Sequence, residues 1–324
     1  MPSDHAPPGT TPLAQSSAIT RRVTLYSVLT AVVLIGLKLS AWVGSGSVAM
    51  LSSLADSCLD LLAALSTFYA VRFAASPPDA EHRFGHGKAE GFASLFQGGL
   101  VFATGALIGR EAIVRLLHPA PVTQGGWAVA VMAISILLTG LLVFMQTRAL
   151  KAAGSVAVSA DRAHYIADLA SNVAALIGVA AAYYLGFHFA DGLAGLVVAV
   201  WLIWGAVNVF RQASSQLMDE GLAPEARARI VALATADPRL TGVHQLRTRV
   251  SGPFVLMQMH ADLDPNLTLE QAHEILVEAE NRILSEFPAA DILIHPDPRG
   301  RAEPHGGAFA ETAAAHAPGA DAES

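Results

Sequence analysis

Two aspartates, Asp56 and Asp60, interrupt the otherwise apolar stretch LADSCLDLL at a spacing of four residues. In an α-helix this spacing places both carboxylates on one face. An ionised carboxylate at membrane depth costs about 3 kcal/mol or more, and such residues usually line a polar pathway. A single buried aspartate could serve an interhelical hydrogen bond, but two on one face repel each other. We therefore expect a cation between them.

A second apolar stretch contains a similar pair. In DRAHYIADLASN, His164 and Asp168 are also four residues apart. Two helices that each present such a pair would supply three carboxylates and one imidazole. This ligand set suits tetrahedral Zn²⁺, and other first-row metals also accept imidazole. The two pairs together predict a divalent metal site within the membrane.

The polar segment PPDAEHRFGHGKAEG contains Asp79, His82 and His86, with Gly85 and Gly87 allowing the backbone to turn tightly. These residues predict a second cation site. The alternative, equally favoured by the spacing alone, is a basic loop facing the cytoplasm in which the histidines are incidental.

The C-terminal region contains a third group of potential ligands. His295 and Asp297 are two residues apart on or just after a predicted strand, so they point to the same side. Any one of these histidines could be an ordinary surface residue, but five potential ligands in so small a domain favour a metal site. The five are His244, His260, His273, His295 and Asp297.

Composition indicates a membrane protein. The 324 residues are 53% hydrophobic and only 15% charged, with a mean hydropathy of +0.45, whereas soluble domains are about 25% charged. The net charge of −7 disfavours a nucleic-acid partner. A single cysteine, Cys58, excludes an intrachain disulfide and a cysteine-rich metal cluster.

Six stretches reach the length of about 20 mostly apolar residues that a membrane-spanning helix needs. Ionisable residues lower the hydropathy of the third and the fifth stretch. Lysines and arginines concentrate before the first stretch, after the second, fourth and sixth, so both termini are expected to face the cytoplasm. The stretches are Thr24–Val43, Val48–Val71, Gly91–Leu117, Ala128–Thr147, Arg162–Leu185 and Gly192–Phe210.

From Asp219 onward the composition is that of a small soluble domain. It predicts a helix opened by Pro224, two strands separated by the turn SGP, a helix whose Thr268 and Gln271 have capping-box spacing, and a third strand. This α-β-β-α-β order suits a small open sheet with helices on one face. We expect a disordered tail at residues 1–19, a six-helix transmembrane domain at 20–213, a cytoplasmic domain at 214–298 and a second disordered tail at 299–324.

The motifs DSCLD, HRFGHGKAEG, HYIAD, HQLRTRVSGP, MQMHADL, QAHEIL and LIHPDP resemble, in this order, those of the cation diffusion facilitator family, in particular its bacterial zinc/iron efflux branch. The resemblance covers roughly residues 20–298. It implies an α-helical membrane protein with six transmembrane helices plus a C-terminal cytoplasmic α+β domain of ferredoxin-like fold, assembled as a homodimer in the bacterial inner membrane. The absence of a histidine-rich loop between the fourth and fifth spans favours the bacterial efflux type.

The resemblance also implies specific site residues. They are Asp56, Asp60, His164 and Asp168 for the transport site, Asp79, His82 and His86 for the loop site, His244, His260, His273, His295 and Asp297 for a cytoplasmic binuclear site, and Lys88 and Asp219 for a pair at the dimer interface.

The expected function is efflux of a divalent metal in exchange for protons across the lipid bilayer. Zn²⁺ is the first candidate substrate and the expected structural and regulatory ligand of the cytoplasmic site; Cd²⁺, Fe²⁺, Co²⁺ and Ni²⁺ are further candidates. An alternative is a membrane-anchored zinc sensor that does not transport. A zinc hydrolase is disfavoured because QAHEI holds only the first half of the HExxH motif, so no enzymatic activity is predicted.

Overall fold

The computed structural model describes residues 7–45, 48–117, 126–185 and 190–300. Its contacts divide the chain into two compact units. The first contains Ala14–Leu217, and the second contains Pro7–Leu13 together with the chain from Met218 onward.

In the described part of the chain, six long helices form the first unit, and each predicted span falls within one of them. Five of the helices are long and apolar enough to cross a membrane over their described residues. The described side chains of α5 end at residue 174, and over that part the charged residues Asp161, Arg162 and Asp168 keep α5 out of this group. The helices are α1 (Leu13–Ser45), α2 (Val48–Ala74), α3 (Ala89–Leu117), α4 (Gly126–Ala152), α5 (Val156–Leu185) and α6 (Ala190–Leu217).

Side-chain size determines which helices approach closely. Gly91, Gly98 and Gly105, spaced seven residues apart on α3, face α6, where a Cβ atom on any of them would lie 2.9–3.2 Å from an α6 side chain. Small residues permit this close backbone approach, which drives helix association in membranes. Large apolar side chains such as Leu107 and Trp204 are exposed, as expected of helices that face lipid.

The N-terminal boundary differs from the predicted one. The segment 1–19 was expected to be a disordered tail, but α1 begins at Leu13 and residues 7–12 are also described. The polar residues at the start of α1 satisfy their hydroxyl groups inside the helix: Thr20 Oγ1 donates to the Ser16 carbonyl (3.0 Å) and Thr24 Oγ1 to the Thr20 carbonyl (2.8 Å). The remaining tail residues, 1–6 and 301–324, lie outside the described chain.

The other boundary is also displaced, because α6 continues to Leu217, four residues past the expected end of the transmembrane domain at 213. The second unit then follows the predicted α-β-β-α-β order. Its elements are α7 (Pro224–Ala234), β1 (Gly242–Ser251), β2 (Phe254–Leu263), α8 (Leu269–Glu286) and β3 (Ala290–Pro298).

Local sequence signals act as predicted in this unit. Pro224 occupies the start of α7, Gly252 adopts a φ of +57° between β1 and β2, and Thr268 and Gln271 form the reciprocal hydrogen bonds of a capping box at α8. The sheet has the order β1-β2-β3, with an antiparallel β1–β2 pair and a parallel β2–β3 pair.

The central strand β2 separates the core from the opposite face of the sheet. Its residues Val255, Met257, Met259, Ala261 and Leu263 are buried in one cluster with residues of α7 and α8. Because side chains alternate along a strand, the intervening positions, which include His260 and Asp262, point to the other face.

We expect Ile283→Ala to destabilise the second unit by about 2–5 kcal/mol, because Ile283 on α8 is fully buried in this core. Leu269→Ala is the matched control, since Leu269 is 84% exposed on the same helix; its effect should stay within about 0.5 kcal/mol. Native-state hydrogen exchange of the β2 amides measures both. Equal losses in the two variants would contradict this packing.

Candidate metal centres

A ligand cluster joins α2 and α5 in the first unit. One ligand atom from each of Asp60, His164 and Asp168 lies within 4.8 Å of the others. His164 Nε2 is 3.2 Å from Asp60 Oδ1 and 3.7 Å from Asp168 Oδ2. The imidazole is almost completely buried and the carboxylates are partly buried. One nitrogen and two carboxylates therefore converge, as a divalent cation requires.

The fourth expected ligand, Asp56, is exposed and lies outside this three-residue group. It is one helical turn before Asp60 on α2, on the face that the spacing predicts. Lys38 on α1 is close enough to interact electrostatically with Asp56; its Nζ donates to Ser57 Oγ at 2.6 Å and to the Ser53 carbonyl at 3.2 Å. The structure thus gathers three of the four predicted ligands.

Sequence reasoning passed over one acidic residue near this cluster. Asp161, three residues before His164, is completely buried and accepts hydrogen bonds from side chains of other helices. The available signal was a second carboxylate on α5, which is as costly in a membrane as Asp168.

The loop between α2 and α3 forms a second cluster from Asp79, His82 and His86. Asp79 Oδ1 is 3.3 Å from His82 Nδ1, and Asp79 Oδ2 is 3.1 Å from His86 Nε2. The first two side chains are exposed, whereas His86 is buried and its ring lies 4.3 Å from that of Phe73. Gly85, with a φ of +78°, supplies the turn between the two histidines.

Backbone geometry keeps the Asp79 carboxylate charged. The backbone N–H of His82 donates to Asp79 Oδ1 at 2.6 Å and that of Glu81 at 3.0 Å. The bond from His82 is the main cause that lowers the pKa of Asp79 below its usual value, because hydrogen bonds to a carboxylate favour its ionised form.

The third cluster lies on the helix-free face of the sheet in the second unit. His244, His260 and His295 occupy paired positions on β1, β2 and β3, with ring centroids 5.2 and 4.9 Å apart. Asp297 stands between them: its Oδ2 is 2.9 Å from His260 Nδ1 and 3.2 Å from His244 Nε2, and its Oδ1 is 3.5 Å from His295 Nε2. The expectation that His295 and Asp297 share one side is met.

Asp297 is buried, which by itself would raise its pKa. The hydrogen bond from His260 and the neighbouring histidines outweigh this effect, so the pKa of Asp297 is lowered. Asp262, which the sequence reasoning missed, is paired with Asp297 across β2 and β3 and lies 3.7 Å from His244 Nε2. One ligand atom from each of His244, His260 and Asp297 lies within 4.8 Å of the others. The predicted ligands His273 and His295 are exposed and lie outside this three-residue group.

The two residues expected at a dimer interface belong to different units. Lys88 Nζ donates to the Leu217 carbonyl at 3.3 Å. Asp219, at a φ of +58° just after α6, pairs with Arg249 at 3.2 Å. Their interface role stays a prediction.

Apolar helices with convergent ligands between two of them define a multi-pass membrane protein built to handle cations. Residues 24–218 match the family model for the cation efflux transmembrane domain, and residues 222–299 match that for the cation efflux protein, cytoplasmic domain. The chain belongs to the cation efflux family, which is the family that its motifs resemble, and is a cation efflux transporter.

Individual relatives cover most of the chain. The cation-efflux pump FieF of Shewanella oneidensis is 41% identical over 272 residues, which is 84% of this chain and 92% of that protein. The FieF pump of Cronobacter sakazakii is 37% identical over 277 residues, 86% of this chain and 92% of that protein. A solved structure of the putative zinc transporter CzrB in its zinc form is 33% identical, covers 26% of this chain and 98% of that chain, and has a TM-score of 0.25.

We expect zinc binding by the loop cluster to weaken as the pH falls, because protons compete with the metal ion for the lone pairs of its ligands. The pKa of Asp79 is lowered, so this carboxylate keeps its charge as the pH falls, and the expected loss of affinity is assigned to the imidazole ligands. Calorimetric Zn²⁺ titrations at several pH values measure this in protein that carries Asp60→Ala and His260→Ala, which weaken the other clusters.

The control is Asp79→Asn, which should lower the affinity at every pH and leave the pH dependence in place. An affinity that stays constant between about pH 7.5 and 5.5 would mean that the histidines are not ligands.

Proposed function

We propose that this transporter exports Zn²⁺ from the cytoplasm across the bacterial inner membrane in exchange for protons. The observation that carries the proposal is the convergence of Asp60, His164 and Asp168 between α2 and α5. A mixed imidazole–carboxylate set suits Zn²⁺ better than a hard all-oxygen site would. Asp56, one turn from Asp60, is the proposed fourth ligand.

Proton exchange follows from the chemistry of these ligands. An imidazole or a carboxylate binds a metal ion only after losing its proton, so metal and protons compete for the same lone pairs. In the proposed cycle the deprotonated site takes Zn²⁺ from the cytoplasm. A rocking of the helices then exposes the site to the other side, where protons displace the metal. Ferrous, cobalt, nickel and cadmium ions are further candidate substrates of the same ligand set.

The cluster of the second unit is proposed to regulate transport. Zn²⁺ held by His244, His260, His295 and Asp297, with His273 as a further ligand, would draw two protomers together and bias the conformation of the transporter. Lys88 and Asp219 are proposed at the interface of this homodimer. The loop cluster is proposed as a third metal site. Both termini are proposed to face the cytoplasm, because basic residues concentrate on that side of the predicted spans.

Transport into inside-out vesicles tests the exchange. We expect Zn²⁺ to accumulate when the vesicle interior is acidic and to accumulate more slowly when an ionophore collapses the pH gradient. Asp60→Asn should abolish accumulation because it removes a ligand, and His260→Ala should reduce the rate about fivefold by removing the regulatory ligand. Asp291→Asn, which removes an exposed carboxylate of β3 outside the clusters, is the control.

Zn²⁺ accumulation at the same rate with and without the pH gradient would contradict proton exchange. Zinc binding without any accumulation would instead favour a membrane-anchored sensor.

The choice of ion is tested at His164. We expect His164→Asp to lower the preference for Zn²⁺ over Mn²⁺ about tenfold, because it replaces the borderline nitrogen ligand with a hard oxygen. Competition between the two ions in the same vesicles measures the ratio. His260→Asp makes the same chemical change outside the transport site and should leave the preference unaltered; an equal shift in both variants would contradict the assignment.

A further inference from the structure

α5 carries a buried carboxylate, Asp161, that belongs to none of the three clusters. Three neutral side chains donate hydrogen bonds to it. Ser27 Oγ and Gln146 Nε2 lie 2.7 and 2.8 Å from Asp161 Oδ2, and Gln97 Nε2 lies 3.1 Å from Oδ1. All four residues are buried, with Ser27, Gln97, Gln146 and Asp161 each at 0% exposure. Both carboxylate oxygens are therefore occupied by donors.

The two glutamine amides require an acceptor at position 161. Among the described residues, the amide oxygens of Gln97 and Gln146 have no hydrogen-bond partner, while their nitrogens do. Gln97 Nε2 also contacts the Ala63 carbonyl (3.1 Å) and Thr67 Oγ1 (3.0 Å) on α2. Turning either amide over would place its oxygen against the carboxylate, which repels it. A carboxylate, which only accepts hydrogen bonds, fits this position.

The donors to Asp161 come from three different helices. Ser27 is on α1, Gln97 on α3 and Gln146 on α4. One turn further along α5, the buried Tyr165 donates its hydroxyl to the Ser27 carbonyl at 3.1 Å. Two successive turns of α5 are thus attached to the same residue of α1, which restricts rotation of α5 about its own axis.

Rotation of α5 decides whether the metal ligands meet. Asp168 lies seven residues after Asp161, so the two side chains point in directions only about 20° apart around the helix. A rotation of about 20° would move side-chain ends at the helix surface by about 2 Å. The contacts of His164 Nε2 with Asp60 at 3.2 Å and with Asp168 at 3.7 Å set the scale that such a movement would disrupt.

We propose that Asp161 is a positioning residue of the transport site. By accepting hydrogen bonds from α1, α3 and α4, it fixes the rotation of α5 so that His164 and Asp168 face Asp60. The inference rests on the proposed function, because it assigns Asp161 to that same site. Asp161 acts through the ligands and does not bind the ion, since its oxygens already accept hydrogen bonds and it lies outside the ligand group.

An exchange of donor and acceptor tests this role. Asp161→Asn keeps the side-chain shape but turns an amide N–H against the donors. Gln146→Glu alone sets a second carboxylate beside Asp161. The double variant, Asp161→Asn with Gln146→Glu, again places one donor opposite one acceptor, now with the amide at position 161 and the carboxylate at position 146. Ser27→Ala removes a single donor and is the milder variant. The Zn²⁺ KM and maximal rate of uptake into proteoliposomes are measured for each, together with its melting temperature in detergent.

We expect Asp161→Asn and Gln146→Glu each to raise the KM for Zn²⁺ about tenfold or more. Loss of a hydrogen bond that orients the metal ligands has an effect of this size at other metal sites. Ser27→Ala should raise it about threefold. The double variant should return to within about threefold of the unsubstituted protein, because the two positions act as a pair. A raised KM in a single variant whose melting temperature is unchanged is the result that a general loss of stability would not produce.

An unchanged KM in Asp161→Asn, or a double variant no better than the single ones, would overturn the inference. If Asp161→Asn does not fold, an unchanged KM in Ser27→Ala overturns it. Failure of the proposed function has a different signature: the unsubstituted protein would not transport Zn²⁺, or Asp60→Asn would transport it equally well. The Zn²⁺ affinities of the same variants, measured by calorimetry, then decide the role of Asp161.

Discussion

The cost of charge in a low-dielectric interior governs the first unit. Asp60, Asp168 and Asp161 are carboxylates on helices whose sequences are mostly apolar. Such groups persist only where a cation or hydrogen-bond donors compensate them. The structure uses both means. The first two carboxylates converge on an imidazole, whereas the third is enclosed by hydroxyl and amide donors.

The three ligand clusters differ in the rigidity of their supports. The intramembrane cluster is held by two long helices, so its geometry depends on how those helices rotate and separate. The loop cluster depends on backbone N–H groups that fix Asp79. The sheet cluster depends on strand pairing, which places three histidines side by side. A transported ion needs a site that can open, whereas a regulatory ion needs one that persists, and helix pairs and sheets respectively suit these demands.

Residue spacing was enough to predict many features that lie within one helix or strand. It was not enough to predict which helices and strands contact each other. The spacing of His164 and Asp168 correctly indicated a shared helical face, and Thr268 with Gln271 correctly indicated a capping box. Spacing could not reveal that Asp56 lies outside the described group while Asp60 lies within it, because that depends on how α2 is placed against α5. The same limit explains why Asp161 and Asp262 were missed: their partners are on other helices or strands.

The start of α1 illustrates a different limit. The polar sequence before Thr24 resembles a tail by composition, yet α1 begins at Leu13, and the hydroxyl groups of Thr20 and Thr24 donate to carbonyls one turn earlier in this helix. Hydroxyl side chains can satisfy themselves within a helix. Composition alone therefore placed the boundary too late in the sequence.

The sheet cluster depends on an irregularity in β1. His244 pairs with His260, but Arg247 pairs with Gln258, so β1 holds one more residue than β2 over this interval, and Gln245 there has a φ of +51°. Successive residues of a strand face opposite sides of the sheet. Deleting one residue between His244 and Arg247 would therefore turn the imidazole of His244 toward the hydrophobic core, where Met259 and Ala261 lie. The cluster would then lose one ligand, although the order of the ligands along the chain would be unchanged. Natural or engineered variants must therefore keep the extra residue between His244 and Arg247, because it determines the face of the sheet on which His244 lies.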